Sequence, residues 1–219
     1  MLLAKCPNAI QVHDRVFEID TSARLWLNIS IELSKLDKSD IYLGYKVIDI
    51  LFQAVKDKKL LKEEYNKKLV ERLYWFLNLG KTTQELKDEA EKSTVETEEK
   101  LYSFEKDETL IFSAFYKTYH IDIEQEIDNL HWWKFMAMFS DLDEKSKFVN
   151  VYMYYRGLNI DDSVIYKNAS EREKQKILEM KRLVSLGYNE PKGSVSESEE
   201  ARIKEARRKI LEAKNGNNS

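Results

Sequence analysis

Apolar and polar positions alternate along the first twenty residues. Ala9-Ile10-Gln11-Val12 and Val16-Phe17-Glu18-Ile19 are β-prone runs, and the polar trio His13-Asp14-Arg15 between them suits a tight reversal, so a small β-hairpin is predicted. From Thr21 onward the apolar period changes to three and four. Leu25, Trp26, Ile29 and Leu33 recur at that spacing behind the N-cap residue types Thr21 and Ser22, which predicts a helix over 22–35. Ser39 or Asp40 can open a second helix, with Leu43, Val47, Ile50, Leu51 and Ala54 as its stripe and a lysine-rich end near 58, where cations favour the carbonyl end of the helix dipole. A third is predicted over 62–79 from Tyr65, Leu69, Leu73, Phe76 and Leu77, with Gly80 placed for the positive φ that often follows a helix.

Residues 81–100 break this pattern. Leu86, Ala90 and Val95 are too few apolar groups to offset the entropy of ordering a stretch otherwise made of charged and polar side chains, so a flexible connector is expected, with a solvated helix as the alternative. Beyond it the aromatic density rises. A helix over 107–119, opened by Asp107, carries Leu110, Ile111, Ala114, Phe115 and Tyr119, and Asp122 opens a short connection. His131 to Phe139 is the most apolar and aromatic stretch, with Trp132, Phe135, Met136 and Phe139 on one helical side and Trp133 and Ala137 beside it. Phe148, Val151, Tyr152 and Tyr155 continue at helical spacing to Gly157, and Leu158 to Asp161 reads as a loop. A helix over 170–186 opens on the capping-box pair Ser170 and Glu173. Pro191, Gly193 and the serines at 194, 196 and 198 mark a linker, followed by a charged helix over 197–213 and a disordered tail, NGNNS.

Composition sharpens the class. The 219 residues contain six glycines and two prolines, where average usage would place roughly 26 of the two together. Such a chain lacks turn residues for a β-sandwich or barrel, and its glycines (44, 80, 157, 187, 193 and 216) are not spaced as a P-loop or dinucleotide fingerprint. The fold class expected is mainly α, a helical bundle with the N-terminal hairpin. Its divisions are 1–80 (hairpin and three helices), 81–100 (connector), 101–187 (aromatic helices) and 188–219 (linker, charged helix and tail).

Charge and candidate chemistry point away from catalysis. Lys and Arg total 36 against 39 Asp and Glu, a net charge of −3, so no global basic field holds nucleic acid or an anionic membrane. No apolar run approaches the roughly 18 residues of a membrane span, and MLLAKCPNAI lacks the pattern of a signal peptide, so a cytoplasmic location is expected. The lone Cys6 reads as a small half-buried hydrophobe, and Cys6, His13, His120 and His131 are too scattered for a zinc site. Asp141 and Asp143, like Asp161 and Asp162, sit where aspartates cap backbone donors. His131 is weighed as a catalytic base or as a cap on the aromatic helix, and no partner group favours the base. The basic residues Arg202, Lys204, Arg207, Arg208 and Lys209 interleave with glutamates at i,i+3 and i,i+4 spacing, which makes them self-paired rather than a phosphate-binding patch. No catalytic residue, cofactor or metal is expected. The excess of 12 Tyr, 9 Phe and 4 Trp, concentrated in 102–155, is core material that can also serve an interface.

Tyr102-Ser103-Phe104-Glu105-Lys106-Asp107, Ile111-Phe112-Ser113-Ala114-Phe115, Tyr119, Ile121-Asp122 and above all Leu130-His131-Trp132-Trp133-Lys134-Phe135 resemble a known family. That family is the minor tail-module proteins of bacteriophages of Gram-positive hosts, tail assembly chaperones of long siphophage tails. The N-terminal order of features is similar too, with Arg24-Leu25-Trp26, then Trp75-Phe76-Leu77 and Gly80, and the likeness covers about residues 10–186. It implies an all-α host-cytoplasmic protein that coats the helical tape measure protein until the tail tube forms, acting alone, as a homo-oligomer or with a companion chaperone. Helical ligands are held through i, i+3, i+4, i+7 anchors, for which Trp132, Trp133, Phe135, Met136, Met138 and Phe139 are the candidate partner-binding residues. Methionines suit this because they repack around different surfaces. A structural, self-associating virion component is the alternative, and a nucleic-acid-binding regulator acting through the last helix a third.

Overall fold

The N-terminal alternation becomes an antiparallel pair, β1 (Ala9–Val12) and β2 (Arg15–Glu18), with Ile10 opposite Phe17 and Val12 opposite Arg15. In the computed structural model, which describes residues 6–61, 66–92 and 100–187, the reversal is the two residues His13 and Asp14 rather than the expected trio, and Arg15 joins the ladder. Ile10, Val12, Phe17 and Ile19 point inward while Gln11, Val16 and Glu18 face out, the period-two pattern of a half-buried ribbon.

Helix α1 (Ala23–Ser34) buries Ala23, Trp26 and Ile29, and α2 (Leu43–Phe52) buries Leu51. Asp40 serves the opening of α2 by accepting from the Tyr42 N–H (2.8 Å), and Ala54, expected at the end of that stripe, is buried in the turn beyond the helix. A 3-10 turn (Lys58–Leu60) leads to α3 (Asn66–Leu77), and the first residues of the expected third helix lie outside the described ones.

The charged connector differs from expectation, because α4 (Thr83–Lys92) occupies its first half. Thr82 and Glu85 cap each other reciprocally. The Thr82 N–H donates to the Glu85 carboxylate (2.7 Å) and the Glu85 N–H to the Thr82 hydroxyl (3.2 Å), while Gln84 bonds Asp88 and Lys81 pairs with Glu89. Local capping and side-chain pairs thus order a helix that has little apolar surface to bury. Residues 93–99 lie outside the described ones.

The second half runs through α5 (Glu108–Tyr119), α6 (Ile123–Glu126) and α7 (Trp132–Ser140). A π-helical stretch (Phe148–Met153) then continues into α8 (Tyr154–Gly157), where ordinary helical spacing was expected throughout. After the expected loop, α9 (Val164–Asn168) is an additional short helix capped by Ser163, and α10 (Glu171–Val184) opens on the expected Ser170–Glu173 capping box. The fold is therefore mainly α with one hairpin. These elements lie in one compact unit that ends at Leu186, whereas the linker, charged helix and tail expected beyond 188 lie outside the described residues.

One buried cluster reaches from Ile10 and Phe17 of the hairpin through Trp26, Leu73 and Phe76 to Phe115, Phe135 and Phe148. Its most informative joint is the end of α3. The last four carbonyls of a helix have no partner within it. Here Tyr74 O accepts from the Asn78 N–H and Trp75 O from the Gly80 N–H. Phe76 O and Leu77 O accept from the indole N–H groups of Trp133 (2.8 Å) and Trp132 (2.9 Å). The adjacent tryptophans of α7 therefore finish α3, and Gly80, at φ 90°, takes the conformation expected of it.

A correction concerns Asp107. It stands at the N-cap position of α5 but makes no side-chain cap bond there. Its carboxylate is buried and accepts from Arg156 Nη1 (2.6 Å), Arg156 Nη2 (2.9 Å) and the Ser103 N–H (2.9 Å). Arg156 also donates to Val184 O (2.5 Å) and Leu101 O (3.1 Å), so one guanidinium joins α8, the end of α10 and the strand of chain before α5.

Candidate functional site

Helix α1 is apolar on more than the face that enters the core. Arg24, Leu27, Asn28 and Ile31 follow one another at i, i+3, i+4 and i+7 and form one wall of an open cleft. The first two turns of α5, with Thr109, Ile111 and Phe112, and α6 with its following residue, Ile123 and Ile127, form the other. Phe104 and Phe135 close the floor of a space of about 400 Å³. A second cleft of about 340 Å³, between Ser30, Ile31 and Ser34 and the chain from Lys100 to Glu105, meets the first at Ile31 and Phe104. Sharing those two residues, the clefts are taken together as one groove whose lining along α1 runs from Arg24 to Ser34, ten residue steps, or about 15 Å at the helical rise.

Leu27, Ile31, Ile111, Phe112, Ile123 and Ile127 give the first cleft a mainly apolar wall, interrupted by Asn28 and Thr109, whereas Ser30, Ser34 and Ser103 make the second more polar. Arg24 donates from Nε to Asp128 (2.5 Å) and from Nη2 to Glu124 O (3.3 Å). The bond to Asp128, with Glu124 and Glu108 also nearby, raises the guanidinium pKa against the opposing effect of burial. At the far end Lys35 is paired with Glu105 (2.8 Å). Such an arrangement can bury an apolar segment between charged margins.

The six partner-binding candidates of α7 divide. Phe135 lines the groove, although little of it is exposed, and stacks on Phe115 with ring centroids 5.3 Å apart. Trp132 and Phe139 are buried, Phe139 against Phe104 and Phe148. Trp133, Met136 and Met138 are half-buried, Trp133 lying 5.5 Å from the Trp75 ring on the side of Gly80. The Tyr119 hydroxyl bonds the Met138 and Asp141 carbonyls, and burial together with the Asp141 charge raises its pKa. The groove residues of α1 were not singled out from the sequence. The available signal was that Leu25, Trp26, Leu27, Ile29, Ile31 and Leu33 surround the helix, more apolar surface than one core contact uses.

His131 caps α7. Its Nδ1 accepts from the Trp133 N–H (3.1 Å), which leaves the proton on Nε2 to be donated to Pro7 O (2.9 Å). His13 lies in the hairpin turn and His120, at φ 55°, closes α5. Cys6 is a half-buried free thiol, and among the described residues no group of three or more Cys, His, Asp or Glu is placed to hold a metal. Asp143 accepts from the Lys145 N–H and Asp162 from the Asn159 amide, both serving local turns. No helix among the described residues is long and apolar enough to cross a membrane.

No curated protein and no solved structure matches the chain. The family model described as bacteriophage Gp15 protein matches residues 2–186, which include the hairpin, α1 to α10 and every residue that lines the groove. The chain belongs to the bacteriophage Gp15 protein family.

Proposed function

We propose that this phage protein is a tail assembly chaperone that works in the host cytoplasm by binding helical segments of the tape measure protein. It acts without turnover, keeping the ligand's apolar surface from aggregating until tail-tube subunits replace it. The observation that carries this reading is the groove along α1, about 15 Å long, whose first part beside Leu27, Ile31, Phe112, Ile123 and Ile127 is mainly apolar. Grooves of this kind bury the apolar face of a helix. The resemblance of the Trp132-Trp133-Lys134-Phe135 segment to phage tail chaperones supports the same partner.

Co-expression with the tape measure protein of the same phage tests the reading. The tape measure protein is expected in the soluble fraction and in a complex on size exclusion, whereas unchanged aggregation and no complex would refute it. The alternative of a self-associating virion component is favoured by one feature, the exposed Ile41, Tyr42 and Tyr45 at the start of α2. Mass spectrometry of finished particles separates the two, because a chaperone is absent from them.

A further inference from the structure

We infer that the groove receives one amphipathic helix, about three turns long, whose apolar stripe is bordered by lysine or arginine. The inference rests on the chaperone reading and specifies the segment of the ligand that is held.

Length is the first constraint. Between Arg24 and Ser34 the groove offers about 15 Å, the rise of ten helical residues. Shape is the second. Along the first cleft α1 faces α5 and α6 and presents Leu27 and Ile31 one turn apart, a ridge that packs against residues spaced i, i+3, i+4 and i+7 on another helix; beyond Ile31 the facing wall is the non-helical chain from Lys100 to Glu105. Strands β1 and β2 do not line it, so strand addition has no template here.

Charge selects among helices. At the α6 end three carboxylates, Asp128, Glu124 and Glu108, surround the single guanidinium of Arg24, and that guanidinium is already held by Asp128. Glu108 and Glu124 are exposed at the margin, a local surplus of negative charge. At the other end Lys35 and Glu105 are paired and Lys100 also lines the cleft, so the surplus of negative charge is confined to the α6 end. An acidic helix or a phosphate backbone approaching this mouth meets repulsion, and a basic-edged helix meets attraction.

The test uses the full-length protein and two synthetic 18-residue helix-forming peptides with leucine at i, i+3, i+4 and i+7, one bordered by lysines and one by glutamates. The lysine peptide is expected to bind about tenfold more tightly at low salt and to shift the amide signals of α1 and of the first turns of α5. The variant E108K/E124K changes exposed side chains only, and it should reverse the order of the two peptides. Equal binding of both peptides, no binding of either, shifts centred elsewhere, or an order that the variant leaves unchanged would each overturn the inference. The co-expression experiment keeps the two readings apart. A tape measure protein solubilised equally by wild type and by E108K/E124K removes this groove assignment and leaves the chaperone, whereas no complex with either, alongside the expected peptide order, removes the chaperone alone.

Discussion

At the scale of single residues, Arg156 shows how a long-range partner can override a local role. Asp107 carries the signature of an N-cap, and sequence spacing alone offers no way to see that a guanidinium 49 residues away takes both of its oxygens. Only the fold brings them together, in a site where each side chain is at most 4% exposed. Two charges removed from water are tolerated there because nearly every hydrogen-bonding direction is filled. Replacing Arg156 by leucine leaves the carboxylate buried with the Ser103 N–H and no counter-charge, and is expected to cost about 3–5 kcal/mol in urea denaturation. Removing both charges, as Asp107→Leu with Arg156→Leu, should restore much of that loss, since the lone charge and not the missing pair is the main cost. A lysine at 156 cannot reproduce the bidentate pair together with the bonds to Val184 and Leu101. Gly80 is the opposite case and was legible from position alone. A residue just past a helix is where positive φ is wanted, and a Cβ at Gly80 would stand only 3.1 Å from the Trp133 ring.

At the scale of elements, the sequence was readable where apolar period and a cap agreed, as at the end of α3 and the start of α10, and in α1 through period alone, because Ser22 stands at its N-cap without a side-chain bond. Residues 81–92 have the charge of a disordered segment and the capping of a helix, and the Thr82–Glu85 pair wins for α4. The turn into π geometry at Phe148–Met153 leaves no mark in spacing, because Phe148, Val151, Tyr152 and Tyr155 fit an α-helix equally well. The Ser170–Glu173 box was legible, and it carries a pH dependence of known sign. Hydrogen bonds from the Ser170 hydroxyl and N–H hold the Glu173 carboxyl below its ordinary pKa. A depressed carboxylate stabilises the helix start at pH values above the ordinary glutamate range, and that contribution is lost as pH falls through the lowered Glu173 value. Side-chain NMR titration should therefore place Glu173 below the ordinary glutamate value. In Ser170→Ala it should return toward the ordinary value, with fraying of the first turn of α10 already at neutral pH. A Glu173 titration unmoved by that substitution would show that the box does not set it.

At the scale of the molecule, the two sequence regions on either side of 81–100 complete each other. The indoles of Trp132 and Trp133 close the end of α3, the Trp132 N–H donates to Thr21 O (2.7 Å), and the Ala23 N–H donates to Leu130 O (2.7 Å). His131 adds its bond to Pro7 O, and Trp26 lies 4.7 Å from Phe76 beneath them. None of this pairing is visible in periodicity, which reports how one helix meets a core but not which helix supplies the other side. The candidate site was hidden for the same reason. Its floor lies in the aromatic block that the sequence singled out, while its long wall belongs to the unremarked face of α1. A fragment of residues 100–187 alone would expose Trp132, which is 2% accessible in the whole chain, and leave both indole N–H groups without their carbonyls. It is expected to retain helical circular dichroism but to melt without a cooperative transition, with tryptophan emission shifted to the red. Adding residues 1–92 should restore cooperative melting and blue-shifted emission, because that piece supplies the carbonyls of α3 and the backbone of residues 21–23. Cooperative melting of residues 100–187 by themselves would show instead that the aromatic helices hold together without α1 and α3, and the groove wall would then be an element added to a preformed body.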